Sequence, residues 1–190
     1  MRHRALLPLR SLALVLALAA CAGSRHKFAD PNMDFGSIRT VAVLPFTNLS
    51  RDNLAGDRVR DALANALLAT GAVYVLPQGE VPRAAGKAGV PSAAAPAAED
   101  AVKLAQALKA DALITGVVKE YGEVRSGAAV ANVCSVSVQM LEGTTGKVVW
   151  MAESTKGGVG WGDRLLGGGG KPLNDVTEAA VDDLVNKLLK

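Results

Sequence analysis

Aromatic residues, cysteine and histidine are all scarce in this chain. Phe, Trp and Tyr make up 4% of the 190 residues, and there are 2 His and 2 Cys. Because 49% of the residues are hydrophobic, we expect a core of small aliphatic side chains. His3 precedes the first apolar run and His26 lies in a polar segment, so neither suits a Ser–His–Asp or Cys–His catalytic arrangement. No residues have the spacing of a metal site, and we expect no enzyme activity, metal or other cofactor.

A surplus of positive charge is also lacking once the N-terminus is set aside. The formal net charge is +3, and Arg2, Arg4 and Arg10 account for all of it. A face that binds nucleic acid needs a real excess of Lys and Arg. The sequence therefore predicts no nucleic-acid partner.

The apolar run at residues 12–20 is too short to cross a bilayer, which requires ~20 residues. It follows basic residues and ends in small ones, which is the pattern of a secretory signal peptide. We assign the signal peptide to residues 1–20.

The letters LAAC at residues 18–21 resemble a bacterial lipobox. The resemblance implies that a diacylglycerol is attached to the sulfur of Cys21, that the chain is cleaved before Cys21, and that the new N-terminus is acylated. Ala22 rather than aspartate follows, which by resemblance to the enterobacterial sorting rule favours the periplasmic face of the outer membrane. An ordinary signal peptide with a chance cysteine is the alternative.

Cys134 then has no cysteine partner, so no internal disulfide can form. It alternates with Val136 and Val138 on the apolar side of a predicted strand, and Asn132 interrupts that side. A buried, unreactive thiol is the expected state of Cys134.

Hydrophobic periodicity predicts one α/β domain after residue 36. We expect strands at 39–46, 73–76, 112–118, 130–142 and 147–153, helices at 57–70, 98–110 and 175–189, and a turn region at 119–129. Strands joined through helices should be parallel with right-handed crossovers. The prediction is a mixed sheet of about five strands, three parallel and then an antiparallel hairpin, with about three packed helices. Asp175 and Glu178 have the spacing of a capping box.

Composition divides the mature chain into segments. Residues 21–36 are predicted to be the lipidated cysteine and a flexible tether, and residues 37–190 the periplasmic domain. Within that domain, 77–97 is rich in Ala, Pro and Gly and is expected to be a flexible excursion. Residues 156–174 form a glycine-rich loop before the last helix.

Three segments carry a resemblance to a known superfamily: TVAVLPFTNLS, ADALITGVVKEYGEV and VSVQMLEGTTGKVVW. Together with the final helix they resemble periplasmic lipoproteins that include CsgG-like curli-secretion proteins, LpoB-type activators of peptidoglycan synthases and the N-terminal domain of TolB. The resemblance implies a scaffold, accessory or activator role in the envelope. A subunit of a CsgG-like oligomeric secretion channel is the alternative, which we do not favour because residues 121–129 are too short for membrane-spanning hairpins.

The glycine-rich loop is not a nucleotide site. In the P-loop template, Leu165 stands where the first glycine is needed, and Pro172 replaces the Ser or Thr that follows Lys171. No nucleotide partner is therefore predicted.

The same loop carries large side chains between its glycines. Trp and Arg are favoured anchors in protein interfaces, so the loop is a candidate segment for contact with a partner. The alternatives are that its apolar residues cover the domain's own sheet or dip into a membrane. The candidate partner-binding residues are Trp161, Asp163, Arg164, Leu165 and Leu166. The expected function is a non-catalytic binding, scaffold or accessory module of an envelope assembly or secretion system, with an envelope protein or a second copy as partner.

Overall fold

Strands and helices alternate along the first half of the chain, as the apolar periodicity predicts. The computed structural model describes residues 27–127, 129–158 and 170–190. The elements are β1 Lys27–Ala29, β2 Thr40–Val43, β3 Thr47–Asn48, α1 Ala55–Thr70, β4 Tyr74–Val75, α2 Glu80–Ala88, α3 Ala98–Leu108, β5 Ala112–Ser126, β6 Ala129–Glu142, β7 Val148–Gly157 and α4 Leu173–Leu188.

The strands form one mixed sheet in the order β1-β7-β6-β5-β2-β4, and β3 pairs with β5. As predicted, β2 is parallel to both β4 and β5, and β6 and β7 form the antiparallel hairpin. The mixed α/β domain is confirmed. The predicted numbers are too low, because the described residues contain seven strands and four helices.

The core lies on both faces of the sheet. On the first face, α1 and α4 cover buried side chains such as Val43, Ile114 and Val136. On the second face, α2 and α3 cover Leu44 and Leu113. Strand β2 therefore has neighbours on both faces, which explains its uninterrupted apolar run.

Strand β1 lies within the segment that the sequence predicts to be a tether. Lys27 pairs with Ala152 and Ala29 with Trp150 of β7, and the Asp30 N–H donates to the Val149 carbonyl over 2.8 Å. A 3₁₀ turn at Phe35–Ser37 follows. Residues 27–36 thus belong to the folded domain, which leaves a much shorter segment between the domain and Cys21.

Strand β5 continues through the region predicted to be a turn. It runs to Ser126 and pairs with β6 along its whole length, with a register shift between Val118 and Glu120. The turn at 119–129, and the argument from the shortness of 121–129, are therefore wrong. The extra residue at the register shift breaks the period-two pattern, and this concealed the strand.

Helix α2 lies inside the Ala/Pro/Gly-rich segment. Val81 and Ala84 share one side of it and are buried against the second face of the sheet. Pro82 falls in the first turn, where a missing N–H costs no helical hydrogen bond. The segment is thus not a flexible excursion throughout.

Helix α4 begins earlier than predicted and without the expected capping box. It starts at Leu173, and the preceding Pro172 makes no side-chain cap. Glu178 instead accepts a hydrogen bond from the Asn174 side chain over 2.7 Å.

Candidate functional site

The residues predicted to carry function lie outside the described part of the chain. Cys21 falls in residues 1–26, and Trp161, Asp163, Arg164, Leu165 and Leu166 fall in residues 159–169. Lipidation at Cys21 and partner binding by the loop therefore stay predictions.

The two ends of the glycine-rich loop are fixed on strand β6. The Gly158 N–H donates to the Asn132 carbonyl over 2.8 Å, and the Asn132 side-chain amide donates to the Lys171 carbonyl over 2.9 Å. A Cβ at Gly157 would collide with the Asn132 carbonyl oxygen, and one at Gly170 would lie 2.9 Å from Ala131 Cα. These two glycines are needed because the chain leaves and rejoins the sheet at one place.

Asn132 is a site residue that the sequence reasoning missed. In the sequence it stands out only as an interruption on the apolar side of its strand. The interruption was the available signal, because a polar residue in an apolar row often hydrogen-bonds to backbone.

A groove of about 660 Å³ lies close to this loop base, and we call it the strand-end groove. Its walls are residues 49–52, residues 119–125 of β5, and Val133, the neighbour of Asn132. It opens at the carboxyl ends of the parallel strands, where ligands of α/β sheets commonly bind.

One wall of the groove is a strand edge. β3 pairs with β5 only at Val117 and Val118, and the Leu49 N–H then donates to the Val118 carbonyl over 2.9 Å. Past that point, in the residues that the structure describes, β5 pairs with β6 alone. Backbone groups on the groove side of 119–125 are therefore available to an added strand.

The opposite wall is a loop held by its own hydrogen bonds. The Asn48 side chain accepts from the Ser50 N–H over 3.0 Å and donates to the Asp52 carbonyl over 2.7 Å. Asp52 binds Arg58 over 2.8 Å and accepts from the Leu54 N–H over 2.8 Å. This loop presents the Leu49 side chain, which is 67% exposed.

The charges of the groove are of both signs. Lys119 pairs with Glu153 at 2.9 Å. Among the described residues, no ion pair within 4.0 Å involves Arg51, Glu123 or Arg125. An apolar side chain, separate charges and a strand edge together suit the binding of an extended peptide.

The cysteine in the fold is poorly suited to chemistry. Cys134 is fully buried. Burial raises the pKa of its thiol to about 11, although a hydrogen bond with Thr177 acts in the opposite direction. In the described ranges, no group of His, Cys, Asp and Glu is placed to hold a metal ion.

Comparison with known families supplies the decisive observation. Residues 34–188 match the family model described as "Putative lipoprotein GNA1162-like". The chain belongs to this family. No curated protein matches it.

Several solved structures share the fold of this GNA1162-like protein. The PelC dodecamer from Paraburkholderia phytofirmans matches with a TM-score of 0.57 and 20% identity over 85% of this chain and 96% of that one. Lipoprotein GNA1162 from Neisseria meningitidis matches with a TM-score of 0.55 and 20% identity, over 80% of this chain and 98% of that one. The LpoB C-terminal domain from Salmonella enterica matches with a TM-score of 0.50 and 14% identity, over 66% of this chain and 86% of that one.

The family match supports the lipoprotein part of the predicted resemblance, and the LpoB domain shares the fold of this chain. The CsgG-like and TolB parts of that resemblance, and with them the channel alternative, gain no support. Among the helices described, none has the length and apolar character needed to cross a membrane.

Proposed function

We propose that this GNA1162-like protein is an envelope lipoprotein, anchored through acylated Cys21 to the periplasmic face of the outer membrane. Its folded domain acts as a non-catalytic binding, scaffold or accessory module of an assembly or secretion system. Membership of a lipoprotein family supports the anchor. The strand-end groove is the observation that carries the binding role, because it combines an exposed Leu49 with a strand edge.

The groove binds an extended segment of a partner protein by strand addition. Main-chain hydrogen bonds to residues 119–125 supply affinity, and alternate side chains of the added segment meet Leu49 and the charges of Arg51 and Glu123. Addition of a strand needs no movement of β6, which occupies the other edge of β5.

The glycine-rich loop takes part in the same binding event. Its ends are held by Asn132, and the adjacent Val133 lines the groove. Trp161, Arg164 and Leu165 thus belong to a segment that starts and finishes beside the groove, and we propose that they contact the same partner.

Self-association is the second candidate. The structure from Paraburkholderia phytofirmans is described as a dodecamer of PelC, which shares the fold of this chain. A second copy is therefore proposed as a partner alongside an envelope protein.

The test is affinity purification from detergent-solubilised envelopes with Leu49→Asp compared with Leu68→Asp. Both leucines are exposed, but Leu68 lies on α1 away from the groove lining. We expect Leu49→Asp to lose its co-purifying protein and Leu68→Asp to keep it. The double variant Trp161→Ala with Arg164→Ala should lose the co-purifying protein, as Leu49→Asp does. Self-association is tested by expressing a second copy with a different tag and asking whether it co-purifies with the first.

If the wild type and all variants recover the same partner protein, neither the groove nor the loop binds that partner. A loss with Leu68→Asp as well would be a folding defect, which circular dichroism of the purified variants identifies.

A further inference from the structure

An apolar patch lies at the sheet edge opposite β4. Phe28 of β1 is 44% exposed and pairs with Met151 of β7, which is 38% exposed. Val148, also 38% exposed, precedes Met151 on the same strand. Met151 further contacts the Gln139 side chain, whose amide nitrogen lies 3.6 Å from the sulfur. Helices α2 and α3 cover the second face over β2 and β5, and leave Phe28, Val148 and Met151 partly exposed.

The position of β1 limits where a membrane anchor can be. Lys27 is already paired with Ala152, so only the chain between Cys21 and Lys27 separates the domain from an acylated Cys21. Fully extended, that chain spans at most about 20 Å. A domain of this size has a radius of gyration of about 15 Å and is roughly 40 Å across. The anchor therefore cannot reach the β4 edge by passing around the domain.

We propose that the β1–β7 edge rests on the bilayer in which the protein is anchored, with Phe28, Val148 and Met151 entering the interfacial layer. This inference rests on the lipidation of Cys21 under the proposed function. Lys27 and Lys147 are exposed, precede Phe28 and Val148 in the chain, and lie at the same sheet edge, where their long side chains can reach the lipid phosphates. The short tether gives the patch a high local concentration of lipid, so that weak contacts suffice.

The arrangement leaves the strand-end groove open to a partner. The free edge of β5 lies three strands from β1, which is about 14 Å across the sheet. Contact at β1 thus orients the domain without covering residues 49–52.

The test couples the mature chain, through the Cys21 thiol, to maleimide lipid in vesicles of phosphatidylethanolamine and phosphatidylglycerol. Cys134 is buried with a raised thiol pKa, so Cys21 reacts selectively. Amide hydrogen exchange of the coupled chain is compared with that of an uncoupled chain, whose Cys21 thiol is capped and which is mixed with the same vesicles. We expect severalfold slower exchange in residues 27–33 and 148–152 after coupling, and unchanged exchange in residues 49–54.

A matched pair of variants separates lipid contact from other effects. Phe28→Ser with Met151→Ser should abolish the slower exchange, whereas Leu54→Ser with Leu68→Ser, which alters two exposed leucines elsewhere, should preserve it. Equal exchange in the coupled and uncoupled wild type would overturn the inference. Slower exchange in residues 49–54 instead would also overturn it. Slower exchange that depends only on the density of protein on the vesicles would indicate contact between copies and would overturn it too.

Failure of this inference is distinguishable from failure of the proposed function. Chemical coupling supplies an anchor whether or not Cys21 is acylated in cells, so exchange reports the orientation alone. Acylation itself is tested by fractionation of Cys21→Ser cells.

Discussion

Asp183 joins helix α4 to strand β7 through several partners. Its carboxylate accepts from Ser154 Oγ and from Lys187 Nζ, each over 2.7 Å, and Lys156 Nζ lies 3.5 Å away. Burial opposes ionisation of this carboxyl, but the hydrogen bonds and the two lysine charges outweigh it and hold its pKa below the ordinary value of 3.8. Asp183 thus stabilises the packing of the last helix on the sheet.

Replacing Asp183 should destabilise the domain in a pH-dependent way. Because the folded-state pKa is lowered, the contribution is complete above the unfolded pKa and disappears as the pH falls through the folded pKa. We expect Asp183→Asn to lower the free energy of unfolding by about 1 kcal/mol near neutral pH, as for a partly exposed charged network. Urea unfolding at about pH 7 and about pH 2 measures this loss, and the difference between Asp183→Asn and the wild type should be smaller in acid.

The neighbouring Asp182 provides the control for this measurement. It is exposed, and none of the ion pairs among the described residues includes it. Asp182→Asn should leave stability unchanged at both pH values. An equal loss for Asp183→Asn in acid and at neutral pH would contradict the electrostatic explanation.

At the scale of elements, helix α2 shows how packing overrides composition. Its segment contains residues typical of loops, yet Val81 is 2% exposed and Ala84 is 5% exposed. The helix ends at Ala88, and the next residue, Gly89, has a φ of 66°, a left-handed conformation that favours glycine. Burial of one apolar side against the second sheet face stabilises a helix that is too short to persist alone.

A charge inserted on the buried side of α2 tests this packing. Val81→Asp places an unpaired carboxylate in the core and should lower the free energy of unfolding by about 3 kcal/mol. Gly86→Asp is the matched control, because a Cβ there meets nothing within 4 Å. Urea denaturation followed by circular dichroism compares the two. Similar, small effects for both variants would mean that residues 77–97 are not packed on the domain.

At the scale of the whole molecule, the fold brings the predicted anchor close to the domain. β1 takes up residues that composition assigned to the tether, so the folded domain includes residues 27–36 as well as those after residue 36. If Cys21 is acylated, as we propose, the short connection restricts orientation and favours one sheet edge toward the membrane.

Membrane attachment itself is checked by fractionation. Cys21→Ser removes the only thiol at the proposed cleavage site, so we expect the protein to move from the membrane fraction to the soluble fraction. Ala22→Ser, which keeps the cysteine, should remain with the membrane. Retention of Cys21→Ser in the membrane would require a different anchor.

Elements with a clear local sequence pattern could be predicted, and elements without one could not. The parallel strands β2, β4 and β5 were predicted correctly, because apolar runs alternate with an amphipathic helix. Strand β1 was not, since it has three residues, all exposed, and depends on pairing with β7. The upper part of β5 was lost because the register shift at Lys119 breaks alternation. The role of Asn132 was signalled only by its interruption of an apolar row. The strand-end groove could not be predicted, because its walls come from segments far apart in sequence.

The sequence by itself determined the α/β class, the parallel arrangement around β2, the burial of Cys134 and the absence of a nucleotide-binding template. These follow from local periodicity and motif spacing. Only the tertiary structure decided the strand edge beside Leu49, the fixing of both loop ends by Asn132, and the place of Lys27 at the sheet edge. Each of these depends on which backbone groups find partners, and those partners come from distant segments that only the folded sheet brings together.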